Sequence, residues 1–337
     1  MSEFITEISI ESSTICIEST IVTYHIGCDN EKGSPPIIYD NEVDNIKATT
    51  AICGGSGAGQ LENQDGYLFC KFIHLGNEYK LMLVVDGHGI SGKIVKDIII
   101  DNLSKIIIKN FQTILDNPMF LQECINEINE IIRENHQNDT LIGGAVFVFA
   151  LELNDNQFAI VQLGDCEIFH NGIKLPGYEL DTAEIKRVLS IPYVSIIYDT
   201  KRGYYGQDIN VYKLDDTNEV ITPEITSHQQ QYLYACNTSG DLAKYITFND
   251  GKKQQLAVSK ALANFDKPFI SNIANISIIS VNPGNTLFLC SDGVTASMTE
   301  KEISTMILEE NYDCIIPNVE KYFGNNGDNT TFITIKI

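Results

Sequence analysis

A short, uninterrupted apolar run constrains the fold of this chain more than any other feature. The run Leu81-Met82-Leu83-Val84-Val85 predicts a β-strand that is buried on both of its faces. It ends abruptly in Asp86-Gly87-His88-Gly89, and glycine-rich polar sequences of this kind are typical of strand ends. Such a strand needs further layers on both sides, and 337 residues are enough for one large domain or two ordinary ones.

The rest of the chain predicts more strands than helices. Strands are predicted at residues 51–53, 67–72, 145–151, 157–163, 166–170, 286–290 and 330–337. Apolar residues at helical spacing predict one helix around 94–106 and another around 120–132, and the capping box Thr299-x-x-Glu302 opens a third that ends near 309. Hairpin turns between successive strands favour an α+β sandwich, with antiparallel sheets and helices packed outside, over a parallel α/β fold.

Two segments lack this clear pattern. Residues 1–45 are interpreted as an N-terminal extension of unknown role that contains a strand or two. Residues 174–255 show no clean period and are interpreted as an insertion or flap. We therefore expect the main domain to span residues 46–337.

The charge and the cysteines limit the classes of protein to which the chain can belong. With 23 basic and 45 acidic residues the formal charge is −22, which makes nucleic acid an unlikely partner. No apolar run approaches the length of a membrane span, and the acidic start Met1-Ser2-Glu3 does not resemble a secretory signal. Nine scattered cysteines without a C-x-x-C pair favour reduced intracellular thiols over disulfides or zinc ligands.

Five aspartates occupy equivalent positions in this pattern. Each stands at a predicted strand end, beside a glycine or a polar turn: Asp65, Asp86, Asp165, Asp292 and Asp328. Taken singly, each is explained by an ordinary turn. If the strands end at one edge of a sandwich, however, the five carboxylates converge and repel one another unless cations bind them. Ligands that offer only oxygen select Mg²⁺ or Mn²⁺ over zinc.

The motifs that contain these aspartates resemble a known family. In chain order they are Asn63-Gln64-Asp65, Asp86-Gly87-His88-Gly89, Gly143-Gly144-Ala145 with Leu163-Gly164-Asp165-Cys166, Leu256-Ala257-Val258-Ser259-Lys260-Ala261-Leu262, Ser291-Asp292-Gly293 and Gly327-Asp328-Asn329. This is the order of the motifs of the protein phosphatase 2C (PPM-type) family of metal-dependent serine/threonine phosphatases. The resemblance covers about residues 48–337.

The resemblance implies a four-layer sandwich of two antiparallel β-sheets flanked by α-helices, with two Mg²⁺ or Mn²⁺ ions at the sheet edge. By position, Asp86 resembles the carboxylate that bridges both metals, and Gly87 the residue that offers its carbonyl to one of them. Asp292 and Asp328 resemble the ligands of the other metal. Asp65 is similar to the residue that supports the site through metal-bound water. Asp165, with Asp292, matches positions that bind a third, weaker metal in some members.

The resemblance also implies a mechanism. Hydrolysis proceeds by attack of a metal-bridging hydroxide, without a phosphoenzyme. His88 matches the family's general acid, a role that suits an imidazole with a pKa near neutrality.

Some residues depart from the family pattern around the substrate. Gln60 stands where many members carry a phosphate-clamping arginine, and Gln64 where many carry glutamate. Three residues, Lys260, Ala263 and Asn264, replace the usual arginine and Gly-Asp of the late motif. Arg187 and Arg202 lie in the predicted flap, so these arginines and Lys260 are candidates for contact with the substrate phosphate, and solvated loop charges are the alternative.

The function expected from this resemblance is hydrolysis of phosphoserine and phosphothreonine in protein substrates. Two alternatives stay open: a catalytically weak scaffold or regulator that uses the same fold, and an enzyme that acts on a small phosphate ester. A monomer located in the cytoplasm, with the nucleus also open, is expected.

Overall fold

The computed structural model describes residues 11–17, 20–27, 37–41, 45–52, 62–135, 142–154, 156–200, 209–238, 242–249, 253–323 and 328–337. The contacts divide the chain into two compact units. The first consists of Met1–Tyr178, Ala261–Asn264 and Asn272–Ile337, and the second of Glu179–Lys260 and Phe265–Ser271. Gln60, Arg202 and Gly327 lie outside the described residues.

Strands dominate the described part of the chain. They are β1 (Glu11–Ile17), β2 (Thr20–Gly27), β3 (Ile37–Asn41), β4 (Ile46–Ile52), β5 (Asp65–His74), β6 (Asn77–Gly89), β7 (Gly143–Asn154), β8 (Gln157–Leu163), β9 (Glu167–His170), β10 (Ile173–Lys174), β11 (Val194–Thr200), β12 (Ile209–Leu214), β13 (Val220–Ile221), β14 (Leu242–Asn249), β15 (Lys253–Leu256), β16 (Leu262–Ala263), β17 (Asn275–Ser280), β18 (Thr286–Cys290) and β19 (Asn329–Lys336).

The helices of the described residues lie between these strands in the chain. They are α1 (Gly92–Lys109), α2 (Phe111–Asp116), α3 (Leu121–Asn135), α4 (Thr182–Leu189), α5 (Ser227–Thr238), α6 (Asp292–Ser297), α7 (Glu300–Glu309) and α8 (Ile315–Phe323). Short 3₁₀ turns at Pro118–Phe120 and Tyr312–Cys314 precede α3 and α8. None of the helices in the described residues is both long and apolar enough to cross a bilayer.

The first unit contains two antiparallel sheets. Within the described residues, one has eight strands in the order β1-β2-β5-β6-β7-β8-β17, with β16 also paired to β7. The other has six strands in the order β10-β9-β18-β19-β4-β3. Strand β19 packs on β5 and β6, so the two sheets face each other. The strands of the expected N-terminal extension join both sheets: β1 and β2 extend the first, and β3 the second.

Successive side chains along a strand project from opposite faces of the sheet, and this alternation explains the four layers. In β5 and β6, Leu68 and Leu83 lie in one apolar core with helices α1 and α3. Their neighbours Tyr67 and Val84 are equally buried but project from the opposite face, towards the second sheet. Phe288 in β18 likewise packs against α7 and α8 on the outer face of the second sheet. The predicted α+β sandwich flanked by helices is confirmed.

The second unit contains a third sheet that the sequence pattern did not predict. Its five strands within the described residues have the order β13-β12-β11-β14-β15. Helix α4 packs Ile185 and Val188 on Ile196 and Ile246 of this sheet. The unit includes most of the segment predicted as a flap, and the assignment of that segment as a flap remains a prediction. The sequence of these strands shows no clean alternation of apolar and polar residues, because several of the residues are only partly buried on either face.

Candidate metal centre

Two of the five aspartates are direct neighbours across a strand pair. Asp65, the first residue of β5, is paired with Asp86 of β6. Paired residues of antiparallel strands project on the same side, with Cβ atoms about 4.5–5.5 Å apart. Asp65 and Asp86 are each two positions from Tyr67 and Val84 along their strands, so they project from the same face of the sheet. Both carboxylates therefore point towards the second sheet. Strand register therefore brings two of the five carboxylates together.

The other three aspartates lie at the matching edge of the second sheet. Asp165 stands two residues before β9, Asp292 two residues after β18, and Asp328 directly before β19. Strands β9, β18 and β19 are neighbours and antiparallel, with Cys290 paired to both Glu167 and Phe332. The start of β9, the end of β18 and the start of β19 consequently meet at one edge.

The polar tetrapeptide after the apolar run does not end the strand as expected. Strand β6 continues to Gly89, and Asp86 to Gly89 pair with Val146 to Gly143 of β7. The polar side chains mark the end of the fully buried part of β6, whereas the backbone pairing of β6 with β7 continues to Gly89. The ladder therefore holds the backbone of Asp86, Gly87 and His88 within a sheet.

Burial and mutual repulsion raise the pKa of the clustered carboxyls. Burial is the largest cause for Asp86, whose pKa lies well above its usual range, and each of the other four aspartates raises it further. Burial raises the pKa of Asp65 to about 7, although hydrogen bonding from the Ser291 hydroxyl and the charge of Lys96 oppose the rise. The carboxyls thus influence one another across both sheets.

The remaining three aspartates show the same trend. Burial raises the pKa of Asp165 to about 6. Burial is the largest cause that raises the pKa of Asp292 well above its usual range, and the charges of Asp165 and Asp328 raise it further. Asp328 lies at the exposed rim of the cluster, and desolvation by the surrounding protein still raises its pKa. A cluster with such pKa values favours either protons or cations.

The donor set fits a hard divalent cation. The Asp65 Oδ2 atom is buried and accepts no hydrogen bond within the described part of the chain. The side chains of the cluster offer carboxylate oxygens, the ligands that Mg²⁺ and Mn²⁺ prefer. In the described residues no three His, Cys, Asp or Glu side chains stand close enough together to enclose an ion.

Hydrogen bonds between the two sheets fix the segment that carries Asp65. Asn63 Nδ2 donates to Thr50 Oγ1 over 2.7 Å, and the Thr50 and Thr331 hydroxyls are 2.6 Å apart. The Gln64 N–H donates to Asn329 Oδ1 over 2.8 Å. These contacts join the start of β5 to β4 and β19. The edge of the sandwich is therefore held by buried polar pairs rather than by apolar packing alone.

Gly87 occupies a position where no side chain fits. A Cβ atom there would lie 2.5 Å from the Gly92 carbonyl oxygen of α1. The Gly87 N–H donates to the Gln64 carbonyl over 3.0 Å, and Gln64 Nε2 donates to the Gly89 carbonyl over 2.8 Å. The close approach of β6 to α1 explains the glycine, and Gln64 fixes the same end of β6 through its amide.

His88 contacts a residue that is 176 positions away in the chain. His88 Nε2 lies 2.7 Å from Asn264 Nδ2, while Asn264 Oδ1 is buried without a hydrogen-bond partner in the described residues. Rotation of this amide by a half turn would let Oδ1 accept a hydrogen bond from Nε2–H. Ala263 and Asn264 have φ of 59° and 52°, in the left-handed region that favours glycine. Asn264 therefore approaches His88 from a strained turn.

Lys96 of α1 is a charged residue near the site that the sequence analysis missed. Its side chain is completely buried, and its Nζ lies 3.4 Å from the Asn63 carbonyl oxygen. The helical pattern contains a signal for it: Lys96 stands three and four residues before Ile99 and Ile100, which places it on the apolar face of α1. A lysine on such a face is buried unless the helix end allows it to reach solvent.

Two predicted substrate residues lie in the second unit. Arg187 donates from Nε and Nη2 to the Glu184 carboxylate over 2.8 and 2.7 Å, and from Nη2 to the Phe269 carbonyl over 2.7 Å. Burial favours a raised pKa for Glu184, but hydrogen bonds from Arg187 and Ser259 outweigh it and lower the pKa. Arg187 thus has a bidentate partner inside its own unit. Lys260, which is half-buried, acts on Glu184 through its charge.

Comparisons with known proteins are limited to the fold. No family model and no curated protein matches this chain significantly. A C. elegans sex determining protein is similar in structure, with 12% identity, 91% of this chain and 66% of that chain covered, and a TM-score of 0.50. The serine/threonine phosphatase Stp1 from Staphylococcus aureus has 17% identity, coverage of 87% and 94%, and a TM-score of 0.48. The PPM Ser-Thr phosphatase MsPP from Mycobacterium smegmatis has 17% identity, coverage of 87% and 97%, and a TM-score of 0.47.

Proposed function

We propose that this chain is a Mg²⁺- or Mn²⁺-dependent phosphatase that hydrolyses phosphoserine and phosphothreonine in proteins. The observation that carries the proposal is the convergence of five aspartates at one edge of two facing sheets, where the other four all raise the pKa of Asp86. Carboxylates packed in this way destabilise a fold unless they bind cations. The buried Asp65 Oδ2, which accepts no hydrogen bond from the described residues, supports a ligand of positive charge.

The proposed metal ligands are residues of this edge. They are Asp86 and Gly87 for one cation, Asp86, Asp292 and Asp328 for a second, Asp65 as a support of the site, and Asp165 with Asp292 for a weaker third. Divalent cations bound there would supply Lewis acidity and would neutralise the charge of a phosphoryl group. The chain itself orients these oxygens through the β5 and β6 ladder and through the Asn63 and Gln64 hydrogen bonds.

In this proposal His88 moves the proton. It lies two residues after Asp86 in β6, so both side chains project on the same face of the strand. We assign to it the delivery of a proton to the seryl or threonyl oxygen as that oxygen departs. The contact of Asn264 with Nε2 restricts rotation of the ring and so fixes the direction in which the proton is offered.

Substrate recognition is assigned to three basic residues. Arg187, Arg202 and Lys260 stay predicted contacts of the substrate phosphate. The bidentate pair of Arg187 with Glu184 would compete with such a contact, so Arg187 can clamp a phosphate only if it leaves Glu184. The monomeric state and the cytoplasmic location also stay predictions.

The test combines turnover with direct metal binding. The full chain is freed of metal with a chelator, titrated with Mn²⁺ by calorimetry, and assayed on a phosphothreonine peptide and on an aryl phosphate. Turnover that follows Mn²⁺ occupancy and is lost in chelator supports the proposal.

Three other outcomes contradict it. Turnover that persists in chelator excludes the metal centre. Mn²⁺ binding without turnover on either substrate favours the catalytically weak scaffold. Turnover on the aryl phosphate and on small phosphate esters, but not on the peptide, favours an enzyme of small-molecule metabolism.

A further inference from the structure

Three isoleucines are exposed where β6 ends and α1 begins. Ile90 is 81% exposed, Ile94 48% and Ile142 53%. The Ser91 N–H donates to the Ile142 carbonyl over 3.1 Å, which holds the segments of Ile90 and Ile142 side by side. Ile94 stands in the first turn of α1. These three residues are called the isoleucine patch below.

The fold gives no reason for an isoleucine at position 90. Ile90 precedes Ser91, the N-cap of α1, where an apolar residue often packs on the fourth residue of the helix as a hydrophobic staple. That fourth residue is Val95, which is completely buried, whereas Ile90 is left largely in water. Single exposed apolar residues are ordinary, but several at one strand end are typical of a binding surface.

The isoleucine patch adjoins the residue that is proposed to move the proton. His88 of β6 is paired with Gly144 of β7. Ile90 follows His88 by two residues and Ile142 precedes Gly144 by two, so both isoleucines lie beyond the same end of this ladder. Two residues of fully extended chain span at most about 7 Å, so the Cα atoms of His88 and Ile90 are no farther apart than that.

The charges around the isoleucine patch suit an apolar segment of an anionic partner. Neither residues 87–96 nor residues 141–151 contain an aspartate or a glutamate, although the chain has 45 of them. The charge of Lys93 is compensated, because its Nζ lies 2.9 Å from Asp97 Oδ2. The patch is therefore close to neutral, and a phosphorylated peptide that contacts these two segments meets no acidic side chain belonging to them.

We propose that the isoleucine patch binds an apolar side chain of the protein substrate, one or two residues away from the phosphoserine or phosphothreonine. The departing oxygen has to come within hydrogen-bond reach of His88 to receive a proton. The next two residues of an extended peptide span about 7 Å, which is enough to reach Ile90 from there. The inference rests on the proposed function for the place of the phosphoryl group. Ile90, Ile94 and Ile142 then determine specificity and do not touch the reacting atoms.

The test compares two phosphothreonine peptides that differ only beside the phosphate. One carries leucine at the four positions within two residues of the phosphothreonine, and the other carries serine there. With the wild-type full chain and Mn²⁺, kcat/KM for the leucine peptide should exceed that for the serine peptide by about tenfold, the gain expected from partial burial of a leucine side chain. A ratio near one would overturn the inference.

Ile90→Ser and Ile142→Ser should each lower this ratio to about threefold, and the triple serine variant should bring it close to one. The ratio of two peptides cancels any effect of the substitutions on His88. Because the substituted residues are exposed, thermal unfolding should show that the variants fold. If one variant does not fold, the other decides. An unchanged ratio in the folded variants would contradict the inference.

Leu75→Ser is the matched control. Leu75 is 82% exposed and lies in the turn between β5 and β6, at the opposite end of both strands from Asp65 and Asp86. This variant should keep the ratio of the wild type. A fall as large as that in Ile90→Ser would mean that any exposed apolar residue has the same effect, and the inference would be wrong.

Two further measurements separate this inference from the proposed function and from self-association. Fluorescence anisotropy gives the Kd of labelled phosphonate analogues of the two peptides, which cannot be hydrolysed. If wild type hydrolyses no substrate, the proposed function fails, and the ratio of the two Kd values still decides the role of the patch by the same criteria. Size-exclusion chromatography tests the other occupant: a wild-type dimer that Ile90→Ser converts to a monomer would assign the patch to a second copy of the chain and overturn the inference.

Discussion

Asp86 is the residue at which stability and proposed chemistry conflict most directly. Burial raises the pKa of its carboxyl, and the charges of the four other aspartates raise it further. A fold that had only to be stable would gain from a neutral side chain at this position. The retention of a carboxylate is understandable if a cation is its partner for most of the time.

Asp86→Asn should abolish phosphatase turnover and stabilise the metal-free protein. The amide removes a ligand from the proposed cations, and it also removes a charge that four neighbours repel. Turnover on a phosphothreonine peptide at saturating Mn²⁺ and thermal unfolding in chelator measure the two effects. Turnover like that of the wild type would show that Asp86 is not a ligand.

His88→Gln should slow hydrolysis of a phosphopeptide far more than hydrolysis of an aryl phosphate. A seryl alkoxide is a poor leaving group and needs a proton, so a loss of about 10²-fold is expected there, whereas a nitrophenolate departs unaided. His74→Gln serves as the control, because His74 lies at the opposite end of β5 from Asp65. Equal losses on the two substrates would assign His88 a role in positioning instead.

At the scale of elements, short local signals were the most accurate. The sequence Thr299-x-x-Glu302 predicted a capping box, and α7 begins there with both of its hydrogen bonds. The Glu302 N–H donates to Thr299 Oγ1 over 3.3 Å, and the Thr299 N–H donates to Glu302 Oε2 over 2.7 Å. The motif is reliable because all of its partners lie within one turn of a helix.

Thr299→Ala should lower the free energy of unfolding by about 1 kcal/mol, the usual contribution of an N-cap side chain. Thr305→Ala is the control, because Thr305 is an exposed residue inside the same helix and alanine is the better helix former there. Urea unfolding of both variants measures the difference. A loss in Thr305→Ala as large as that in Thr299→Ala would remove the cap as its cause.

The whole molecule carries its excess negative charge both at its surface and in its interior. The formal charge is −22, and at least five of the acidic groups form one edge of the first unit. Surface repulsion is screened by salt, but repulsion among buried groups is screened much less. The stability of the metal-free protein should therefore depend on protons.

Metal-free protein should become less stable as the pH rises from 5 to 8. The folded state raises the pKa of Asp165 to about 6 and of Asp65 to about 7, whereas an unfolded aspartate titrates near pH 4. The folded state thus binds more protons than the unfolded state in this window, and its stability falls as the pH passes each raised pKa. Thermal unfolding in chelator at several pH values and high salt measures this slope.

Two further measurements identify the cause of that slope. Saturating Mn²⁺ should remove it, because cations replace the protons. Asp86→Asn should reduce it, because one of the repelling carboxyls is gone. A metal-free melting temperature that is constant from pH 5 to 8 would contradict the electrostatic account of the cluster.

The sequence alone determined the local elements and the type of residue at each strand end. Apolar runs and helical spacing predicted the strands around Leu81 and Thr286 and the helices α1 and α3, because burial imposes a period on nearby residues. Aspartates beside glycines predicted an acidic edge. The sheet of the second unit was not predicted, since its partly exposed strands leave little period in the chain.

Only the tertiary structure decided which of these residues meet. The register of β5 on β6 pairs Asp65 with Asp86, and a shift by one residue would turn one of the two carboxylates to the helical face. The contact of His88 with Asn264 joins positions 176 residues apart, and the burial of Lys96 depends on the sheet beneath α1. The periodicity of a segment depends on which of its own residues are buried. Strand register and packing depend also on segments far away in the chain, and no local pattern encodes those contacts.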